Sequence, residues 1–137
     1  MILSLNRIFY IIKDIFNILI ESIFFKYFKF SGRASRKEFL IFSVLDFAVH
    51  YFLKYISLLS WYYIYIIFII IPYMSIAFRR LHDFNFSGII ILFIIIAIIL
   101  FETFNDQLTD YFIYTIEMLL ILVPSTPGSN KYGEPPE

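Results

Sequence analysis

The chain has 137 residues, no cysteine, a formal net charge of zero, and a hydrophobic fraction of 61%. That fraction exceeds the roughly 45–50% of an ordinary soluble domain, and a soluble domain this small could not bury so much apolar surface. The length is enough for one domain, and the composition predicts an integral membrane protein. The balanced charge disfavours a nucleic-acid partner, and the lack of cysteine excludes disulfides, thiolate metal sites and cysteine nucleophiles.

The N-terminal segment, residues 1–29, predicts an amphipathic helix. Lys13, Asn17 and Glu21 recur at four-residue steps, so they share one face of a helix that is otherwise rich in Ile and Phe. A helix with one polar stripe favours the membrane interface over the bilayer core. A tilted span whose polar side packs against other helices is the alternative. A secretory signal is not expected, because charges interrupt the apolar region and no small-residue cleavage site follows.

The second part of the chain, residues 30–137, predicts an all-α membrane domain with about four transmembrane helices. The predicted spans cover residues 39–60, 61–78, 86–104 and 108–123. A capping box at residues 35–38 should open the first helix near Arg36. Pro72 should kink the second span and free a backbone carbonyl near Phe68.

The distribution of basic residues predicts the orientation of these spans. Lys and Arg lie mainly before the first span and between the second and third, whereas the loop at residues 102–110 is acidic and contains neither. An excess of Lys and Arg marks the cytoplasmic side of a membrane. We therefore expect the segment before the first span, the loop after the second and the C-terminal tail to be cytoplasmic.

Three polar blocks carry a resemblance to a known family. They read "FSGRASRKEF" (residues 30–39), "RRLHDFNFSG" (79–88) and "GSNKYGEPP" (128–136). In this order they resemble domain-of-unknown-function family 805, small bacterial inner-membrane proteins of the YhaH-like kind. The matched tail positions are Asn130, Tyr132 and Gly133. The resemblance implies a multi-span protein of the bacterial inner (plasma) membrane, and it implies no activity. No cofactor or metal is expected.

The first two blocks are expected to meet at the cytoplasmic face and form one polar cluster. Its predicted members are Arg33, Arg36, Glu38, Arg79, Arg80, His82 and Asp83. Guanidinium groups suit bidentate phosphate binding, and free N–H groups near residues 85–87, at the start of the third helix, would add to it. The predicted function is a non-enzymatic membrane protein whose basic face binds anionic lipid headgroups or a protein partner. For the cluster itself the first interpretation is structural: its residues anchor the membrane face and cap helices, with Asp83 and Glu38 pairing arginines.

The pair His82 and Asp83 is similar to a general base and the carboxylate that orients it. No serine or cysteine nucleophile motif, zinc-helix motif or P-loop accompanies the pair in the sequence. An enzyme is therefore not expected.

A second candidate site lies inside the predicted spans and consists of Asp46, His50 and Glu117. Asp46, His50 and Lys54 stack on one helix face at four-residue steps. Exposure of such groups to lipid costs about 2.5–3.5 kcal/mol or more each, so they usually face the bundle interior. Hydrogen bonding between helices is the simplest explanation. The alternative is an ion or proton path in a small channel or transporter subunit, which would function as a homo-oligomer.

Overall fold

The computed structural model describes residues 2–103 and 106–136, and within them the chain folds as helices. The elements are α1 (Ile2–Ile20), a π-helical turn (Glu21–Phe25), α2 (Arg36–Tyr55), α3 (Leu59–Asp83), α4 (Ile90–Glu102) and α5 (Asp106–Leu122). The described residues form no strand, and their one isolated β-bridge pairs Asn130 with Gly133. The all-α prediction is confirmed. The predicted acidic loop includes Phe104 and Asn105, which lie outside the described residues.

Among the described helices, α3 alone is both long and apolar enough to cross a membrane. Its 25 residues reach about 38 Å at 1.5 Å per residue, against a hydrocarbon core of about 30 Å. Only 22% of its apolar window is buried, whereas the core helix of a soluble protein would be mostly buried. α4 is more apolar than α3 but has 13 residues, or about 20 Å. Four helices, α2 to α5, follow the N-terminal helix as predicted, but four spans are not confirmed, because α3 is the one described helix that meets both criteria.

Local backbone features explain where the helix ends differ from the predicted spans. α2 begins at Arg36, as the capping box predicts, and Ser35 Oγ accepts a hydrogen bond from the Glu38 N–H at 3.1 Å. It ends at Tyr55 and not at residue 60, because Ser57 adopts a positive φ of 56° that a right-handed helix cannot continue through. Asn85, with φ of 65°, separates α3 from α4 in the same way.

The end of α3 corrects one expectation. The helix continues to Asp83, so residues 79–83 are helical and do not form a loop between spans. α4 then begins at Ile90, four residues later than the predicted third span.

Pro72 lies inside α3, where it removes the donor that the Phe68 carbonyl would otherwise accept from. The Tyr27 hydroxyl donates to that carbonyl at 2.8 Å. The Phe68 carbonyl that Pro72 leaves without a helical donor thus accepts a hydrogen bond from the segment between the π-helical turn and α2.

The buried apolar core lies at one end of the bundle, where α2 begins and α3 and α5 end. Its residues are Ala34, Phe39, Phe42, Ile76, Ala77, Leu81, Ile91 and Leu120. Along the rest of the helices, large apolar side chains are exposed, including Phe68 on α3 and Phe93 on α4. Exposed apolar surface on this scale suits a lipid environment. The packed end also holds the polar side chains described next.

Candidate functional site

Asp83 is the centre of a buried polar cluster at the C-terminal end of α3. Its Oδ1 accepts a hydrogen bond from Nε of Arg33 at 2.9 Å and lies 2.8 Å from Nη2 of the same guanidinium, and its Oδ2 accepts a hydrogen bond from Nη1 of Arg80. All three side chains are fully buried. Two guanidiniums on one carboxylate leave one net positive charge, which would be costly to bury without further acceptors.

Backbone carbonyls supply those acceptors. Arg33 donates to the Gly128 carbonyl at 2.6 Å, and Arg80 donates to the carbonyls of Leu120 and Val123 at 2.8 and 2.7 Å. The last carbonyls of a helix lack intrahelical donors and carry partial negative charge. Arg80 therefore caps the C-terminus of α5 while it pairs with Asp83.

The C-terminal tail, which follows α5, is fixed on the end of α3. The N–H and hydroxyl of Thr126 both donate to the Asp83 carbonyl, at 3.1 and 2.8 Å. Asn130 Nδ2 donates to the His82 carbonyl at 2.9 Å. The Tyr132 ring stacks on the His82 ring, with centroids 3.8 Å apart and planes 6° from parallel. The tail thus satisfies the terminal carbonyls of α3 and covers the cluster.

Glu38 forms the second part of the buried polar cluster, beside α1. Its Oε1 accepts from Nη1 of Arg79 at 2.8 Å. The same oxygen accepts from Ser22 Oγ at 3.3 Å and Lys26 Nζ at 3.4 Å. Lys26 also pairs with Glu21 at 2.8 Å, and this hydrogen bond and charge lower the pKa of the Glu21 carboxyl. These contacts hold the π-helical turn, α2 and α3 together.

Six of the seven predicted cluster residues thus lie in the buried polar cluster, and Arg36 does not. Arg36 is exposed on the first turn of α2. Two of the predicted free N–H groups near residues 85–87 are not free. The N–H groups of Asn85 and Phe86 donate, both at 3.0 Å, to carbonyls at the end of α3.

His82 and Asp83 are not arranged as a base and its orienter. His82 Nδ1 lies 3.0 Å from the Gly32 carbonyl, and the Asp83 carboxylate is occupied by the two arginines.

Sequence reasoning missed the tail residues that complete the cluster. Thr126 and Gly128 were not predicted members, although the resemblance marked Asn130 and Tyr132 nearby. The groups of the tail that accept from Arg33 are backbone carbonyls, which carry no side-chain signature. The available signal was the turn-rich composition of the tail, where Gly128 adopts a positive φ of 71°.

Asp46, His50 and Glu117 line a common cavity among α2, α3, α4 and α5. This apolar cavity has a volume of about 290 Å³, and nine isoleucines form most of its wall. Tyr73 and Met74 also line it. The sequence predicted that Asp46 and His50 share a face of α2, and the packing adds Glu117 from α5.

Each carboxylate in this cavity has a tyrosine partner on α3. The Tyr73 hydroxyl donates to Glu117 Oε1 at 2.6 Å, and the Tyr65 hydroxyl donates to Asp46 Oδ1. These bonds tie α2 and α5 to α3, as the structural interpretation predicts. The lining contains no Lys or Arg among the residues that the structure describes.

A smaller, more polar cavity of about 90 Å³ adjoins the first. This acidic cavity shares Asp46, His50 and Glu117 with the apolar cavity and adds Asp110. Tyr51 and Tyr114 complete its aromatic wall, and their hydroxyls are in contact. Because the two cavities share lining residues, three carboxylates and one imidazole lie around adjoining spaces.

Comparison with known proteins gives a family and two curated relatives. The family described as "Protein of unknown function (DUF805)" matches residues 27–134. The chain is 29% identical over 122 residues to the "Inner membrane protein YhaI" of Escherichia coli K12, covering 85% of this chain and 92% of that protein. The protein of the same name from Escherichia coli O157:H7 is similar to the same extent. No solved structure matches.

Proposed function

This chain belongs to the DUF805 family of proteins of unknown function, and from that premise we propose that it is a multi-pass protein of the bacterial inner membrane with about four spans. The similarity to inner membrane protein YhaI and the apolar length of α3 support this placement. We place the tail in the cytoplasm. The bonds from Arg33 to Asp83 and to the tail require the start of α2, the end of α3 and the tail to share one side.

We propose that α1 lies at the membrane interface on that same side. Asp14, in the second half of α1, pairs with Lys37 on the first turn of α2. Ser22 contacts Glu38 on the same turn. We therefore place the second half of α1 beside the polar end of the bundle, and not across the membrane.

We propose that the protein admits protons or small cations into the cavity in its bundle, as a subunit of a small channel or transporter. The convergence of Asp46, His50 and Glu117 on one cavity carries this proposal. Asp46 lies about 15 Å along α2 from Arg36, near the middle of a hydrocarbon core of about 30 Å. Ionisable residues at that depth commonly mark ion or proton paths.

The buried polar cluster supports ligand binding less well. A lipid phosphate at Arg33 or Arg80 would have to displace Asp83 and backbone carbonyls. Arg79 has unpartnered N–H groups at Nε and Nη2 among the described contacts, but both atoms are fully enclosed. Binding of headgroups or a partner would then fall to exposed basic side chains such as Arg36. We propose that the cluster is structural and that His82 has no catalytic role.

Ion flux into liposomes tests the transport proposal. Purified protein is reconstituted in vesicles that contain a pH-sensitive dye, or in parallel a sodium-sensitive dye, and a potassium diffusion potential set with valinomycin drives the entry of protons or sodium ions. We expect flux with the native protein and a loss with Asp46→Asn and Glu117→Gln. The exposed tail carboxylate Glu134 gives a matched control, and Glu134→Gln should leave flux unchanged. Absence of flux, or equal flux in all variants, contradicts the proposal.

A further inference from the structure

We propose that the adjoining apolar and acidic cavities bind an amphiphilic amine, with its ammonium group among the carboxylates and its hydrocarbon body against the isoleucines. The inference rests on the proposed function in one respect, namely that the two cavities lie inside a membrane-spanning bundle. It goes further by naming the chemical class of the cation. Three observations carry it: the charge of the lining, the spacing of the carboxylates and the division of the wall into an apolar and a polar part.

The charge of the lining calls for a cation. Asp46, Asp110 and Glu117 face the two cavities, and His50 is the one basic residue in the described lining. Asp46 and Glu117 each use one oxygen for a tyrosine in the described contacts. Their other oxygens can therefore accept from a ligand. Carboxylates in a low-dielectric space are stabilised by an opposite charge that also hydrogen-bonds to them.

The spacing of these groups favours an ammonium over a metal ion. Among the described residues, no group of three or more His, Asp or Glu is arranged to hold a metal. A metal ion needs its ligands close together around one centre. An ammonium can instead donate each of its N–H groups to a separate acceptor. The rings of Tyr51, Tyr73 and Tyr114 also line the space and offer π faces to a cation.

The wall specifies the rest of the ligand. The apolar cavity is bounded by nine isoleucines, and its volume of about 290 Å³ lies at the low end of the range for small-molecule sites, about 300–1,000 Å³. A hydrated inorganic ion gains nothing from such a wall, whereas a short hydrocarbon chain does. An anionic amphiphile fits the apolar part but is repelled by the three carboxylates. A protonated amine with a short apolar body matches both parts.

Octylamine, which is protonated at pH 7, is a suitable probe. Octanol and octanoate are controls with the same chain length and a neutral or negative head. Binding of each labelled compound is measured by equilibrium dialysis to the full chain in nanodiscs of neutral phosphatidylcholine, with empty nanodiscs subtracted. We expect saturable binding of octylamine, and affinity at least about tenfold lower for octanol and for octanoate, because both lose charge-assisted hydrogen bonds.

Two variants separate the charge from the apolar wall. Asp46→Asn combined with Glu117→Gln should weaken octylamine binding about tenfold or more and leave octanol binding unchanged, which also shows that the cavity is intact. Ile94→Phe fills the apolar cavity and should weaken both probes. Glu134→Gln is the control. Octylamine binding equal to that of octanol or octanoate, or insensitive to the double variant, would overturn the inference.

The flux and binding experiments fail independently. Saturable octylamine binding without ion flux contradicts the transport proposal and leaves the amine site standing. Ion flux without octylamine binding contradicts the amine site and leaves transport standing.

Discussion

Substitution of Asp83 by Asn should be among the most damaging changes of one functional group in this chain. Asn has nearly the same shape but no charge, so the backbone contacts of Thr126 with residue 83 can persist. The loss is confined to the carboxylate. Arg33 and Arg80 would then stand close together with no anion between them, and both side chains are fully buried.

The expected loss in the free energy of unfolding depends on the two buried guanidinium groups that remain after the substitution. Removing one partner of a buried ion pair typically costs about 3–5 kcal/mol, because an uncompensated charge is left in the interior. Here the carbonyls of Gly128 and Leu120 still accept from the two arginines. We therefore expect the low end of that range, about 3 kcal/mol, for Asp83→Asn.

The chain offers a matched control for this measurement. Asp14 pairs with Lys37 at a half-exposed position, and exposed pairs contribute about 0–1 kcal/mol. The free energy of unfolding is measured by SDS titration in mixed micelles, followed by circular dichroism, for the native chain, Asp83→Asn and Asp14→Asn. Equal destabilisation by the two substitutions would refute the assignment of Asp83 as the centre of the cluster.

A double variant tests the charge balance directly. Arg33→Met removes one of the two guanidiniums, so Asp83→Asn with Arg33→Met should be less destabilised than the sum of the single variants. Strict additivity would mean that the charges of Arg33 and Asp83 do not interact.

Three further predictions concern the tail, one glycine and the orientation. Removal of residues 125–137 should lower the thermal midpoint further than Asp14→Asn does, since buried arginine N–H groups lose acceptors; an equal midpoint would contradict this. Gly88→Ala places a Cβ 2.2 Å from Phe78 Cδ1 and should cost about 1–3 kcal/mol, and an unchanged free energy of unfolding would contradict this. A cysteine at Ser129 should react with a membrane-impermeant maleimide only after the cytoplasmic side is opened, and labelling from the periplasm would reverse the proposed orientation.

Local features of the fold were predictable because short-range chemistry determines them. The cap at Ser35, the carbonyl freed by Pro72 and the shared face of Asp46 and His50 all follow from spacing along one helix. The early end of α2 was not predictable in this way. It depends on a left-handed conformation at Ser57, a residue type that carries little preference for it.

The pairing of the arginines agrees with the structural interpretation of the cluster, in which Asp83 and Glu38 pair with arginines. Asp83 accepts from Arg33 and Arg80, and Glu38 accepts from Arg79. The backbone carbonyls that also bind Arg33 and Arg80 were not predicted. Carbonyl acceptors are present at every residue, so no sequence pattern distinguishes those that will bind an arginine. The convergence of Glu117 and Asp46 on one cavity could not be predicted from the sequence either, because it depends on how α5 packs beside α2.

The contacts of Arg80 and Arg33 also impose an order on assembly. Most of their carbonyl acceptors, at Leu120, Val123, Thr126 and Gly128, come late in the chain, and the Ala34 carbonyl, which accepts from Arg80, is an early one. The ribosome makes these late acceptors after α1 to α4 have been synthesised. Until then, Arg33, which lies just before α2, and Arg80, in α3, have Asp83 but lack these late hydrogen-bond acceptors. We therefore expect this end of the bundle to pack fully only after the tail has been synthesised.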